Sequence, residues 1–225
     1  MIEVARTLSP VESLGPGRRV ALWLQGCSLA QAGAACPGCI SRDLWDSGPG
    51  ELFDVSDLAD LLVTVIGQGE LTGLTVTGGE PLDQYAEVIG VVGEVRSRCG
   101  GELGGESGTS KLDTLLFTRY RRRVIERRFP LALTVFDAII AGEYRRDLPS
   151  VVPLVASANQ ELIAGPEIAD RYGRLGGQPR LQAFVSGGDV LMAGVPLPGQ
   201  MEAVEEGFAE RGVSFGSVSW MSESR

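Results

Sequence analysis

Cys27, Cys36 and Cys39 crowd into one loop directly behind the apolar run Val20-Ala21-Leu22-Trp23-Leu24, and no other stretch constrains the chain as strongly. Such a run reads as a short buried strand. The theme repeats downstream. A second apolar run ends in Thr77-Gly78-Gly79-Glu80-Pro81, where the absence of Cβ atoms lets the backbone come close to a small ligand.

Thiolates are the usual ligands of iron–sulfur clusters, and three from one loop leave one iron of a four-iron cluster without a protein ligand. The alternatives are a structural zinc site and thiols buried as small apolar groups. Zinc is disfavoured because the chain has no histidine, and the remaining thiol, Cys99, stands sixty residues beyond Cys39. Disulfides are weaker still, given four cysteines in 225 residues and no recognisable secretory signal. Cys99 itself reads as a free thiol, with a fourth or accessory ligand as the alternative that no motif supports.

The 29 acidic and 20 basic residues give a formal charge of −9, which argues against general nucleic-acid binding. No apolar run approaches the roughly 20 residues that cross a bilayer. The expectation is a cytoplasmic enzyme of one domain over 1–225, without membrane contact.

Strand and helix patterns alternate. Strands are expected at Val20–Leu24, Leu71–Val76, Leu112–Thr118 and Val135–Ala141. Helices are expected after Ser56, which would cap a face of Leu58, Leu61, Leu62 and Val65, and over Leu82–Arg96 and Tyr120–Arg128. Leu181–Val185 and Val190–Met192 read as a hairpin, followed by a helix over Met201–Glu210 and a strand over Val213–Val218. The Gly-rich stretch 99–110 reads as a mobile loop. Such alternation predicts an α/β fold, a parallel sheet covered by helices. Cys27, Gly78 to Pro81, Tyr120 and Gly142 would then follow the carboxyl ends of strands, where such sheets build their sites.

Several segments together resemble the radical S-adenosyl-L-methionine (SAM) activating enzymes, and among them the activases of anaerobic ribonucleotide reductase. They are Gly15-Pro16-Gly17-Arg18-Arg19, Trp23-Leu24-Gln25-Gly26-Cys27, Cys36-Pro37-Gly38-Cys39 with Trp45, Gly78-Gly79-Glu80-Pro81 and Ser157-Ala158-Asn159-Gln160. Phe117-Thr118-Arg119-Tyr120 resembles a Thr-Gly-Tyr segment with arginine in place of glycine. The resemblance implies an incomplete, open β/α barrel with a cluster loop over 25–45 and a C-terminal α/β extension over 181–225.

It also implies that Cys27, Cys36 and Cys39 bind a 4Fe–4S cluster. Pro37, Gly38, Cys39, Gly78, Gly79, Glu80, Pro81, Asn159 and Gln160 would surround the SAM, with Glu80 helping to hold its amino group. The implied activity is reductive cleavage of SAM to a 5′-deoxyadenosyl radical that abstracts hydrogen, here from a glycine of a glycyl-radical partner enzyme. An electron donor such as flavodoxin or ferredoxin would serve it. Two alternatives stay open: action on a small molecule or peptide, as in 7-carboxy-7-deazaguanine synthases or natural-product maturation, and a noncatalytic iron–sulfur module that binds a partner.

The chain departs from the family in one place. Eight residues, 28–35, most of them small, separate Cys27 from Cys36, where the family usually has three. Lengthening a loop costs only about 0.6 kcal/mol per doubling, so the thiols can still converge; the opposing reading is a scaffold whose site the insert has broken. Gly78 and Gly79 could equally make a tight turn, with Glu80 as a helix-start carboxylate, and the Asn159 and Gln160 amides could close turns. Arg119, Arg121, Arg122, Arg123, Arg127 and Arg128 form a basic segment in an acidic chain, with Leu116, Tyr120 and Val124 at helical spacing. Solvated surface is its default reading, and a dock for an acidic partner or phosphorylated substrate is the sharper one.

Overall fold

In the computed structural model, which describes residues 1–99, 112–186 and 189–214, strand β1 (Ile2–Val11) pairs antiparallel with β2 (Arg19–Leu24). The cysteine loop contains one helical turn, α1 (Ser28–Gln31), before β3 (Glu51–Phe53) returns to the free side of β1. Alternation then begins: α2 (Val55–Gly69), β4 (Gly73–Gly78), α3 (Tyr85–Cys99), β5 (Asp113–Thr118), α4 (Arg122–Arg128), α5 (Ala132–Val135) and β6 (Ala138–Ala141). Strand β7 (Glu161–Ala164), α6 (Pro166–Gly173), the hairpin β8 (Leu181–Ser186) and β9 (Asp189–Gly194), and α7 (Gln200–Ala209) follow.

The main sheet has the order β3-β1-β2-β4-β5-β6-β7. Its four middle strands, β2, β4, β5 and β6, are mutually parallel, as the alternation predicts. The flanks are antiparallel, which the alternation does not predict. A parallel return needs a long crossover. Only residues 12–18 join β1 to β2, so these two strands pair as a hairpin.

Both faces of the sheet are covered, but differently. Leu22 and Leu24 of β2, Leu74 and Val76 of β4 and Leu116 of β5 turn toward Leu58, Leu62 and Ile66 of α2, Val88, Val91, Val92 and Val95 of α3 and Ile125 of α4. Each large aliphatic side chain buried there contributes about 1.5–3 kcal/mol. Residues one position along each strand face the other way. Ala21 and Trp23 pack with Leu44 and with Ala193 of β9, while Leu115, Ala138 and Ile140 pack with Tyr172 of α6.

Several expected boundaries move. The residue at the amino end of α2 is Asp54 rather than Ser56, and its buried face is Leu58, Ala59, Leu62 and Ile66, leaving Leu61 exposed. The strand expected over Val135–Ala141 starts only at Ala138, since Val135 closes the turn of α5, where it and Thr134 both donate to the Leu131 carbonyl. Leu116 belongs to β5, so the apolar stripe assigned to Leu116, Tyr120 and Val124 is not a helical one; α4 starts at Arg122 and buries Ile125. The hairpin forms at the expected place, longer by a residue or two at its ends. Most of the Gly-rich stretch 99–110 and of the strand expected over Val213–Val218 lies outside the described residues.

Candidate functional site

Strand β2 ends at Leu24, and the three residues after it are fixed by backbone partners from separate segments. Gln25, Gly26 and Cys27 donate their N–H groups to the carbonyls of Glu3 (3.1 Å), Leu44 (2.9 Å) and Trp45 (3.0 Å). Gly26 holds φ +91°, a conformation that side chains oppose. The Gln25 amide spans the loop beneath, donating to the carbonyls of Asp43 (3.2 Å) and Asp46 (2.7 Å). Cys27 is thereby placed before any ligand arrives.

The insert between Cys27 and Cys36 is wound, not slack. Gln31 and Ala34 donate to the carbonyls of Cys27 (3.0 Å) and Leu29 (2.7 Å), and the Ser28 N–H is held by Asp83 Oδ2 at 2.7 Å. Cys36-Pro37-Gly38-Cys39 closes as a tight turn, with Cys39 N–H donating to the Cys36 carbonyl at 3.0 Å and Gly38 at φ +83°. Proline then glycine is the pair this turn favours.

Strand β4 delivers the glycines to the same edge. A Cβ on Gly78, at φ +123°, would fall 2.3 Å from the Leu24 nitrogen, and one on Gly79 would fall 2.0 Å from the Gly26 carbonyl oxygen. Both glycines are therefore required by close contact with the segment that leads into Cys27, whatever lies above them. Glu80 points inward: its carboxylate accepts from Leu82 N–H (3.0 Å), Thr118 Oγ1 (2.7 Å) and Arg119 N–H (2.9 Å). Burial pushes this carboxyl up to about 7 against the pull of those donors. Any contact with a ligand's amino group would be additional to these bonds.

A cavity of about 300 Å³ joins these pieces. Cys27, Cys36, Cys39, Gly78, Gly79, Glu80 and Gln160 all line it. Pro37, Gly38, Pro81 and Asn159 stand beside those residues in sequence but are not on its wall. The amide oxygen of Gln160 accepts from Ala156 and Ser157 N–H (3.0 and 3.1 Å) and its nitrogen donates to the Gly142 carbonyl (2.9 Å), so this amide closes a turn. Asn159 donates to the Glu143 carbonyl at 2.7 Å, whereas its Oδ1 is buried without a hydrogen-bond partner among the described residues.

Spacing-based reasoning also leaves out part of the wall: Thr77, Phe117 and Thr118 at strand ends, Tyr144, and Leu191, Met192 and Val195 from the C-terminal hairpin and its exit. The first three could have been read from strand register. The hairpin residues could not, because nothing in their pattern says which face they meet.

The donors on this wall are three thiols, in a chain without histidine. Four free cysteines are present, and among the described residues no three His, Cys, Asp or Glu groups stand together to hold one metal ion. Three sulfurs around an open cavity suit a larger inorganic core with one unliganded corner. Burial pushes the Cys27 and Cys36 thiols up, and Glu80 and Asp83 add to the effect at Cys27, so a metal bound to these sulfurs would displace protons. Cys99 lies at the far end of α3 in the core.

The basic segment divides by position. Arg119 reaches the cavity, Arg122 pairs with Glu161 and Arg128 lies over the Tyr120 and Phe129 rings, while Arg121, Arg123 and Arg127 are exposed. Among the described residues no helix is long and apolar enough to cross a membrane.

Two comparisons bear on this arrangement. The family described as "4Fe-4S single cluster domain" matches residues 13–163. The chain is also similar to the anaerobic ribonucleoside-triphosphate reductase-activating protein of Enterobacteria phage T4, with 31% identity over 150 residues that cover 66% of this chain and 85% of that protein.

Proposed function

The chain belongs to the 4Fe-4S single cluster domain family, as a radical SAM protein of the anaerobic ribonucleotide reductase activase type, and we propose that it generates a radical for hydrogen abstraction. The observation that carries this reading is one wall shared by three thiols and the Gly78-Gly79 turn, at the carboxyl edge of parallel strands. Cys27, Cys36 and Cys39 would hold a 4Fe–4S cluster, and Gly78 to Pro81 the amino-acid end of SAM. When bound, cluster and SAM together supply an electron and a sulfonium whose reductive cleavage gives methionine and a 5′-deoxyadenosyl radical. The protein supplies position: the Cys27 segment is locked to Glu3, Leu44 and Trp45, and Trp23, Phe117 and Met192 help to line the cavity against water.

On this reading the parallel strands β2, β4, β5 and β6 are the wall of an incomplete radical SAM barrel within one domain, 1–225, that includes the cluster loop 25–45 and the extension 181–225. The acceptor would be a glycine in a partner enzyme, and the electron would come from a flavodoxin or ferredoxin. Anaerobically reconstituted, reduced protein should release 5′-deoxyadenosine and methionine in equal amounts from SAM. Retention of intact SAM by a fully reduced, cluster-loaded protein would reject the activity and leave a noncatalytic module.

A second reading, a small molecule or peptide as hydrogen donor, is favoured by the hairpin. It lies beyond the matched residues 13–163, yet Leu191 and Met192 line the cavity and Ala193 packs with Trp23. The exposed arginines separate the two. Contacts at a rim mainly speed encounter and are screened by salt. Reversing Arg121, Arg123 and Arg127 to glutamate should slow radical transfer to an acidic protein partner several-fold at low salt, counted by electron paramagnetic resonance. Uncoupled SAM cleavage should continue; equal transfer rates would favour the smaller substrate.

A further inference from the structure

We propose that Arg119 and Arg146 form a cationic clasp on the Cys36–Cys39 turn, which holds the cluster loop in place and makes the bound cluster easier to reduce. The inference rests on the reading of the three cysteines as cluster ligands. Arg119 follows β5, and its main chain is anchored by the 2.9 Å bond from its N–H to Glu80 Oε2. From there its side chain lines the cysteine cavity and donates from Nη1 to the Ala34 carbonyl at 2.9 Å, two residues before Cys36. The arginine at the family's glycine position thus grips the insert that lengthens the spacing from Cys27 to Cys36.

Arg146 comes from the segment after β6 and meets the same turn on another side. Its N–H donates to the Pro37 carbonyl at 3.2 Å, and its side chain lies across Gly38, where an added Cβ would fall 2.8 Å from Nε. The two guanidinium groups therefore reach the Cys36–Cys39 side of the site from two different strand ends.

Acids act on both sides of the loop, two of them near Cys27 and one near Cys36. Asp83 accepts from Ser28 N–H, next to Cys27, and Glu80 also acts on that thiol; on the Cys36 side Glu143 is the acidic neighbour. Cluster reduction takes one electron from a low-potential reductant, breaks no bond and moves no proton, so the site gains one negative charge. Fixed cations beside the ligating thiolates favour that gain, and fixed anions oppose it. The guanidinium bond to the Ala34 carbonyl keeps the Arg119 charge at a constant place, and the main-chain bond from Arg146 to Pro37 fixes the stretch whose side chain lies across Gly38.

Potentiometric titration of the reconstituted cluster, followed by electron paramagnetic resonance without SAM, tests the proposal. Arg119→Gln and Arg146→Gln should each make reduction roughly tenfold less favourable, about 59 mV for a one-electron step. Arg119→Lys should stay near wild type, and Asp83→Asn should shift the potential the other way. Iron content should remain that of wild type in all four. Unchanged potentials in the two glutamine variants at full iron content would overturn the redox role, as would loss of iron from Arg119→Lys and Arg119→Gln alike. A wild type that assembles no four-iron cluster would overturn the functional reading as well, which separates the two failures.

Discussion

Alanine at any one of Cys27, Cys36 or Cys39 should reduce reconstituted iron and sulfide from about one four-iron cluster per chain to a trace, because on the proposed reading only these three thiolates hold the core and two would not. Cys99→Ala should keep the full cluster. It removes a sulfur packed in the core at the far end of α3, and costs only the modest stability of a small cavity. The thiol environments add a pH signature. Burial raises the Cys27 and Cys36 thiols, so assembly must strip protons that are held more tightly than usual. Reconstitution yield should fall as pH is lowered and improve as pH approaches the thiol range. Iron and sulfide analysis with the visible absorbance of each variant provides the measurement. Full cluster in any of the three single alanine variants would remove that residue from the ligand set.

Much of this site is legible in the chain because its parts depend on short-range rules. Val20–Leu24 is buried on both faces and has the apolar continuity of a parallel strand, and Pro37-Gly38 specifies the turn between Cys36 and Cys39. The antiparallel flank is harder to read. Strand β1 mixes Glu3, Arg6 and Ser9 with apolar residues, since one end of it meets solvent, and its place beside β2 is decided by pairing rather than by pattern. The roles of Glu80 and Gln160 were only half legible. Residue type announces polar groups, but only the fold shows that these carboxylate and amide groups are already engaged by Leu82, Thr118 and Arg119, and by Ala156, Ser157 and Gly142. The same holds for the arginines. Two residues apart, Arg119 and Arg121 end in a cavity and in solvent, because both lie in the short turn between Thr118, where β5 ends, and Arg122, where α4 starts.

Removing either partner of the Arg19–Asp113 pair should cost about 3–5 kcal/mol, the penalty of leaving a buried charge uncompensated. That is a large fraction of the roughly 5–15 kcal/mol that holds a domain together. The pair is 0% and 3% exposed and 2.7 Å apart, at the amino ends of β2 and β5, opposite the cysteines. Arg19 also donates to Thr75 Oγ1 (2.7 Å) and to the carbonyls of Pro16 (2.9 Å) and Leu74 (3.0 Å), while Asp113 accepts from Tyr172 (2.7 Å) and pairs with Arg171. The guanidinium occupies space that side chains elsewhere would need: a Cβ on Gly73 would lie 2.2 Å from Nη1, and one on Gly15 2.8 Å from Nε. The Gly15-Pro16-Gly17-Arg18-Arg19 segment therefore serves the floor of the sheet, not the cluster. Denaturant titration of Arg19→Met and Asp113→Asn should show the loss as a lower midpoint with little change in slope. Arg19→Met with Asp113→Leu should recover part of it, because apolar replacement removes both desolvated charges. Cluster content per folded molecule should match wild type throughout. A loss below about 1 kcal/mol in both single variants would mean that the floor is not held by this pair.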